Sequence, residues 1–114
     1  KESYQSNPFH TENLRHPCPS GHIVRSKSEA LIDLALFMHK IPFRYECAFT
    51  LKNLTFYPDF TIRHPKSGRF FYWEHFGLMT SPSYSQNVFQ KLNTREYPLT
   101  SQTIENIIQE YFIT

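Results

Sequence analysis

The chain reads as an α/β (α+β) domain, a central mixed β-sheet flanked by helices, on three observations. A capped apolar run follows Ser26, three strand-like segments succeed one another between Phe43 and Phe76, and isoleucines recur at helical spacing near the end. The 114 residues, 39% hydrophobic and 17% aromatic, suffice for one compact core rich in Phe and Tyr, and the composition is neither disordered nor fibrous.

Residues 1–22 are polar, with Pro8, Pro17, Pro19 and Gly21 as breakers, and read as an arm or irregular lead-in with a short helix before Arg15. A single domain is expected over residues 23–114. Ser26-Lys27-Ser28-Glu29 has capping-box spacing, and the run from Ala30 to His39 puts Leu31, Leu34, Ala35 and Met38 on one helical face before Pro42 ends it. Phe43 to Phe49 alternates apolar and polar positions as a strand does, and Asn53 marks a turn. Two further strands surround Asp59 and Glu74, joined by the turn residues Pro65-Lys66-Ser67-Gly68, which completes a three-stranded meander. Ser81-Pro82 can start a helix running to about Lys91, Leu92 to Tyr97 suits a short strand, and Ile104, Ile107, Ile108 and Tyr111 define a last helix from about Ser101 to Phe112.

Composition narrows function little. A net charge of +2 permits a polyanionic partner without arguing for one. Two cysteines, Cys18 and Cys47, are too few for a disulfide framework and read as free thiols of a reducing compartment. No stretch approaches the roughly 18 apolar residues of a membrane span, and the opening Lys1-Glu2-Ser3-Tyr4 has no apolar leader, so a cytoplasmic protein is expected. The chain opens on Lys rather than Met, which suits part of a longer protein with further domains. His16-Pro17-Cys18 with His22 invites zinc, but no Cys-x-x-Cys pair accompanies it.

The sharpest signal is a pair of acids set in apolar strands, Asp59 in Phe56-Tyr57-Pro58-Asp59-Phe60-Thr61-Ile62 and Glu74 in Phe70-Phe71-Tyr72-Trp73-Glu74-His75-Phe76-Gly77. An ionised carboxylate there is costly unless paired or bound to a cation. A hairpin symmetric about Lys66-Ser67 sets Asp59 directly opposite Glu74, about 4.5 to 5.5 Å apart at Cβ. A three-residue loop closed by Gly68 would set it opposite His75 instead. Two facing carboxylates repel, and a hard cation such as Mg²⁺ turns that repulsion into attraction. Glu29, in the first turn of the first helix, is either a capping glutamate returning to the Ser26 backbone or a third acid that meets the metal through water.

Glu29 on a helix, then Pro58-Asp59, then Glu74 in an aromatic strand is the order in which the chain resembles the PD-(D/E)xK nuclease superfamily, over roughly residues 22–91. More narrowly, Arg25-Ser26-Lys27-Ser28-Glu29, Pro58-Asp59-Phe60 and Trp73-Glu74-His75-Phe76-Gly77 resemble bacterial restriction-like proteins with an RSKSE, PDF and WEHFG series. The resemblance implies a restriction-endonuclease-like core and hydrolysis of phosphodiester bonds in nucleic acid, DNA foremost, with Mg²⁺ or Mn²⁺. It implies Asp59, Glu74 and the backbone carbonyl of His75 as metal ligands, with Glu29 acting through water. The chain departs from the pattern at Phe76, which stands where the motif has its lysine. Lys91 is the candidate substitute if the lysine has migrated to the following helix; otherwise it is a solvated helix-end lysine. The resembling proteins carry a further stretch with a Tyr and a Gly-Ile here, which implies a loop missing near 91–92. Arg25 and Lys27 flank the helix start, where backbone N–H groups and cations suit a nucleic-acid phosphate, or are ordinary surface charges. The alternative function is a catalytically degenerate nuclease-fold domain that binds nucleic acid or a protein partner.

Overall fold

The computed structural model describes residues 4–74, 77–80, 90–91 and 100–113, with the backbone course alone for 77–80 and 90–91. Two helices pack on one face of a five-stranded sheet, and of the two α2 is the amphipathic one. Helix α1 (Lys27–Met38) starts where the capping spacing places it, with Ser26 extended and its Oγ accepting from Glu29 N at 3.1 Å. Helix α2 (Ser101–Phe112) starts with a reciprocal cap in which Thr100 Oγ1 accepts from Thr103 N at 3.1 Å and Thr103 Oγ1 accepts from Thr100 N at 2.9 Å.

Strands β1 (His16–Pro17) and β2 (Ile23–Val24) form a small hairpin before α1. After it come β3 (Phe43–Tyr45), the hairpin β4 (Phe49–Leu51) and β5 (Leu54–Phe56), β6 (Phe60–Arg63), β7 (Phe70–Glu74), β8 (Gly77–Thr80) and β9 (Gln90–Lys91). The main sheet runs β3-β6-β7-β8-β9. The α+β class holds, but the expected mixed sheet does not, because every pairing among the described residues is antiparallel. Short hairpin connections join β6 to β7 and β7 to β8, and such connections reverse the strand direction.

Alternation along the strands puts Phe60, Ile62, Phe71 and Trp73 on one face, where they pack with Ile32 and Leu36 of α1 and Ile104, Ile108 and Phe112 of α2. Full burial of each such side chain stabilises the fold by about 2 kcal/mol. The α1 face differs from the expected one: Ile32, Asp33 and Leu36 are buried, whereas Leu34 and Met38 are exposed. The helix carries apolar residues around most of its circumference, so spacing does not select a face.

The expected single strand from Phe43 to Phe49 breaks at Glu46, which adopts φ +48°, and the chain turns out into the β4–β5 hairpin. Lys52 and Asn53, at φ +50° and +67°, make the tight turn anticipated at Asn53. Residues 4–8 are tied to this break. Tyr4 Oη donates to Tyr45 O at 2.8 Å, Asn7 N to Glu46 O at 3.1 Å, and Ala48 N to Gln5 O at 2.9 Å. The lead-in is thus laid along residues 45–48, and the 22/23 boundary falls inside the β1–β2 hairpin. A short 3₁₀ turn at Thr11–Asn13 precedes Arg15. The helix expected from Ser81 and the strand from Leu92 to Tyr97 lie outside the described residues, apart from Gln90 and Lys91, which are extended in β9. No helix among the described residues is long and apolar enough to cross a membrane.

Candidate metal site

The β6–β7 hairpin sets the site. His64 N donates to Arg69 O at 2.8 Å, closing a four-residue loop of Pro65 to Gly68. Its centre still lies between Lys66 and Ser67. His64, buried, accepts at Nδ1 from Lys66 N and Ser67 N, both at 3.1 Å, and Gly68 supplies the φ of +75° that closes the loop. The strand register therefore pairs Phe60 with Trp73 and Thr61 with Tyr72; the ladder ends there, and Asp59, in the bend just before β6, continues it toward Glu74, whose charge it feels. The register that a three-residue loop would set is not the one adopted by β6 and β7.

Asp59 is partly buried behind buried Pro58, and its backbone carbonyl continues the β3–β6 ladder by accepting from Glu46 N at 2.9 Å. Among the described residues nothing donates a hydrogen bond to its carboxylate. Burial, then the charges of Glu29, Glu74 and Glu46, push its pKa up from 3.8 to about 7, with Arg25 opposing. Burial also raises the pKa of Glu74. The pair therefore lies in a field that resists double ionisation.

Glu29 takes neither of its two expected forms in full. Its Oε1 bypasses Ser26 and accepts from Arg25 N at 2.9 Å and Tyr45 Oη at 2.8 Å, which leaves Oε2 without a hydrogen bond among the described residues. Burial and Glu29 together push the Tyr45 phenol far up, so it stays a donor. Arg25, a candidate phosphate contact, is spent internally. Its Nε and Nη2 grip Glu46 at 2.6 and 3.0 Å, and Nη1 and Nη2 donate to His10 O and Phe9 O, both at 2.7 Å. Lys27 is exposed at the first position of α1.

Lys91 is not at a helix end: it stands in β9, paired with Met79. His75 and Phe76 lie outside the described residues. No group of three or more His, Cys, Asp or Glu side chains among the described residues is arranged to hold a metal ion. Glu29 and Glu74 reach Asp59 through their fields without closing a three-ligand cage. Asp59 and Glu74 are the two acids at this end of the hairpin, and one or two carboxylates with waters are what Mg²⁺ commonly takes.

Spacing in the sequence missed two groups. Glu46 reads as a solvent-facing position in an alternating strand, yet it is 5% exposed and helps to raise Asp59. Asp33, wholly buried, accepts from Ser20 Oγ at 2.6 Å and pairs with His22 Nδ1 at 2.7 Å. That pairing, with Cys18 Sγ turned to His16 O at 3.6 Å and the thiol pushed up to about 11 chiefly by burial, leaves no zinc geometry at residues 16–22. Both cysteines are free thiols. Comparison with protein-family models, curated proteins and solved structures finds no match for this chain.

Proposed function

We propose that the domain is a Mg²⁺- or Mn²⁺-dependent nuclease that hydrolyses phosphodiester bonds in DNA, with Asp59 and Glu74 holding the metal. The supporting observation is Asp59 itself, a partly buried carboxylate that accepts no hydrogen bond from the described residues and lies within the fields of Glu29, Glu74 and Glu46. A divalent cation there supplies the positive charge that activates water and offsets charge building on a phosphate. Asp59 and Glu74 fix its position. Tyr45 and the Arg25 N–H hold one oxygen of Glu29, whose charge acts on Asp59, and its second oxygen would orient a water. Pro58 and the ladder bond to Glu46 fix the backbone that carries Asp59.

A second reading is a nuclease-like fold that binds nucleic acid or a protein partner without cutting. Phe76 in place of the motif lysine, Arg25 consumed by Glu46, and Lys91 in a strand favour it. Incubation of labelled single- and double-stranded DNA with Mn²⁺ separates the two. Cutting by the wild type that falls at least about 100-fold in Glu74→Ala supports catalysis. Cutting that is unchanged in Glu74→Ala rejects the assigned site, and retention of DNA without cutting supports the second reading.

A further inference from the structure

The sheet face turned away from α1 and α2 carries a second feature, at the other end of β6 from Asp59. Pro42, Phe43, Arg44, Thr61, Arg63 and Phe70 line an open groove of about 320 Å³, a volume at the lower end for a small-molecule site. Strand pairing explains its make-up. Arg44 lies opposite Thr61 and Arg63 opposite Phe70, so these four share one face. The two arginines stand on a diagonal of the ladder, about 7 to 8 Å apart at the backbone. Arg63, exposed, gives this end of the face a positive charge that an anion matches.

The surroundings favour one kind of anion. Arg44 is positioned by the Tyr4 ring, its guanidinium 5.3 Å from the centroid, and by Cys47 Sγ at 3.8 Å from Nη1. Arg63 is exposed and enters no ion pair among the described residues. Phe70 is 45% exposed beside it, an aromatic surface that water leaves unmatched. Guanidinium groups for a phosphate, a hydroxyl donor from Thr61 and an open ring for a base together match a nucleotide better than a bare carboxylate.

We propose that this groove binds one nucleotide unit of a single-stranded nucleic acid, with Arg44 and Arg63 on its phosphate and Phe70 against its base. The choice of ligand rests on the nuclease reading; the binding does not depend on the metal. Four residues of β6, about 13 Å, separate Arg63 from Asp59. Tyr72, between the two ends on the same face, is covered by Phe49, whose ring centroid is 5.0 Å away. The groove and the acid pair can therefore be tested apart.

The test is fluorescence anisotropy of a labelled single-stranded DNA dodecamer with the full chain in EDTA, alongside calorimetry of the same proteins with Mn²⁺. Arg63→Ala is expected to weaken binding by about 10-fold and to reduce the salt slope by about 1. Lys52→Ala, an exposed cation on the β4–β5 turn, is expected to change neither. Phe70→Ala is expected to weaken the oligonucleotide and leave inorganic phosphate competition unchanged, and a mononucleotide that competes as well as the oligonucleotide would point to a free nucleotide as the ligand and overturn the strand assignment. Equal losses in Arg63→Ala and Lys52→Ala, or no binding by the wild type, overturn the groove even if Mn²⁺ still binds. Loss of Mn²⁺ binding alone would sink the nuclease reading and leave the groove standing. Arg63 and Phe70 are both exposed, and an unchanged melting temperature verifies that each variant folds.

Discussion

Asp33 and Asp59 are both aspartates drawn out of water, and the fold treats them in opposite ways. Asp33 is wholly buried, but Ser20 Oγ and His22 Nδ1 meet its two oxygens at 2.6 and 2.7 Å. Asp59 is less buried, yet nothing among the described residues donates to it, and the charges nearest to it are mostly of its own sign. Depth alone therefore does not mark a site. A carboxylate whose partners are built in is part of the frame, and one left without them is available to an external cation.

The largest effect expected from breaking this contrast is at Asp33. Asp33→Ala removes the acceptor shared by the half-buried Ser20 and His22 and is expected to cost about 3 kcal/mol in urea unfolding, with Mn²⁺ affinity retained in the fraction that folds. At Asp59 the sign reverses. Its folded pKa lies above the ordinary 3.8 at about 7, so the stability it contributes is present below pH 4 and is lost as pH rises to 7. The whole rise corresponds to at most about 4 kcal/mol, and water reaching a partly buried carboxylate brings the expected gain of Asp59→Asn at pH 8 to about 2 kcal/mol. That gain should vanish at pH 4 and reverse on adding Mn²⁺, which only the wild type binds. A variant as unstable as the wild type at pH 8 contradicts the electrostatic account.

Smallest is Glu29→Gln. The amide oxygen can still accept from Arg25 N–H and Tyr45 Oη, so the expected cost is about 1 kcal/mol or less. The Asp59 titration is nevertheless expected to move down, because Glu29 is the largest charge contribution raising it. A large loss of stability with no movement of Asp59 would place Glu29 wholly in the frame.

Local chemistry made several features legible. Ser26 and the isoleucines of α2 marked both described helices, Asn53 marked a turn, and the hairpin symmetry about Lys66-Ser67 set the register of β6 on β7 although the loop has four residues. What spacing missed depends on distant partners. Glu46 is buried because Arg25, 21 residues earlier, grips it, and Asp33 because Ser20 and His22 fold back over α1. The α1 face was misjudged because apolar residues surround the helix. Lys91 was placed at a helix end by the Ser81-Pro82 start signal, whereas the β8–β9 pairing puts it in a strand. The places of Asp59 and Glu74 in the β6–β7 hairpin were thus readable from sequence, whereas the groups that crowd Asp59 were not.

The central claim is that Asp59 waits for a cation, and its titration tests this most directly. Carbon-detected NMR of the Asp59 side-chain carboxyl, followed from pH 3 to 9, is expected to show a midpoint near 7 without metal. With saturating Mg²⁺ the midpoint should fall by about 2 pH units or more as the cation replaces the proton. A midpoint that stays near 7 with Mg²⁺ present, or one near 4 without it, would contradict the account.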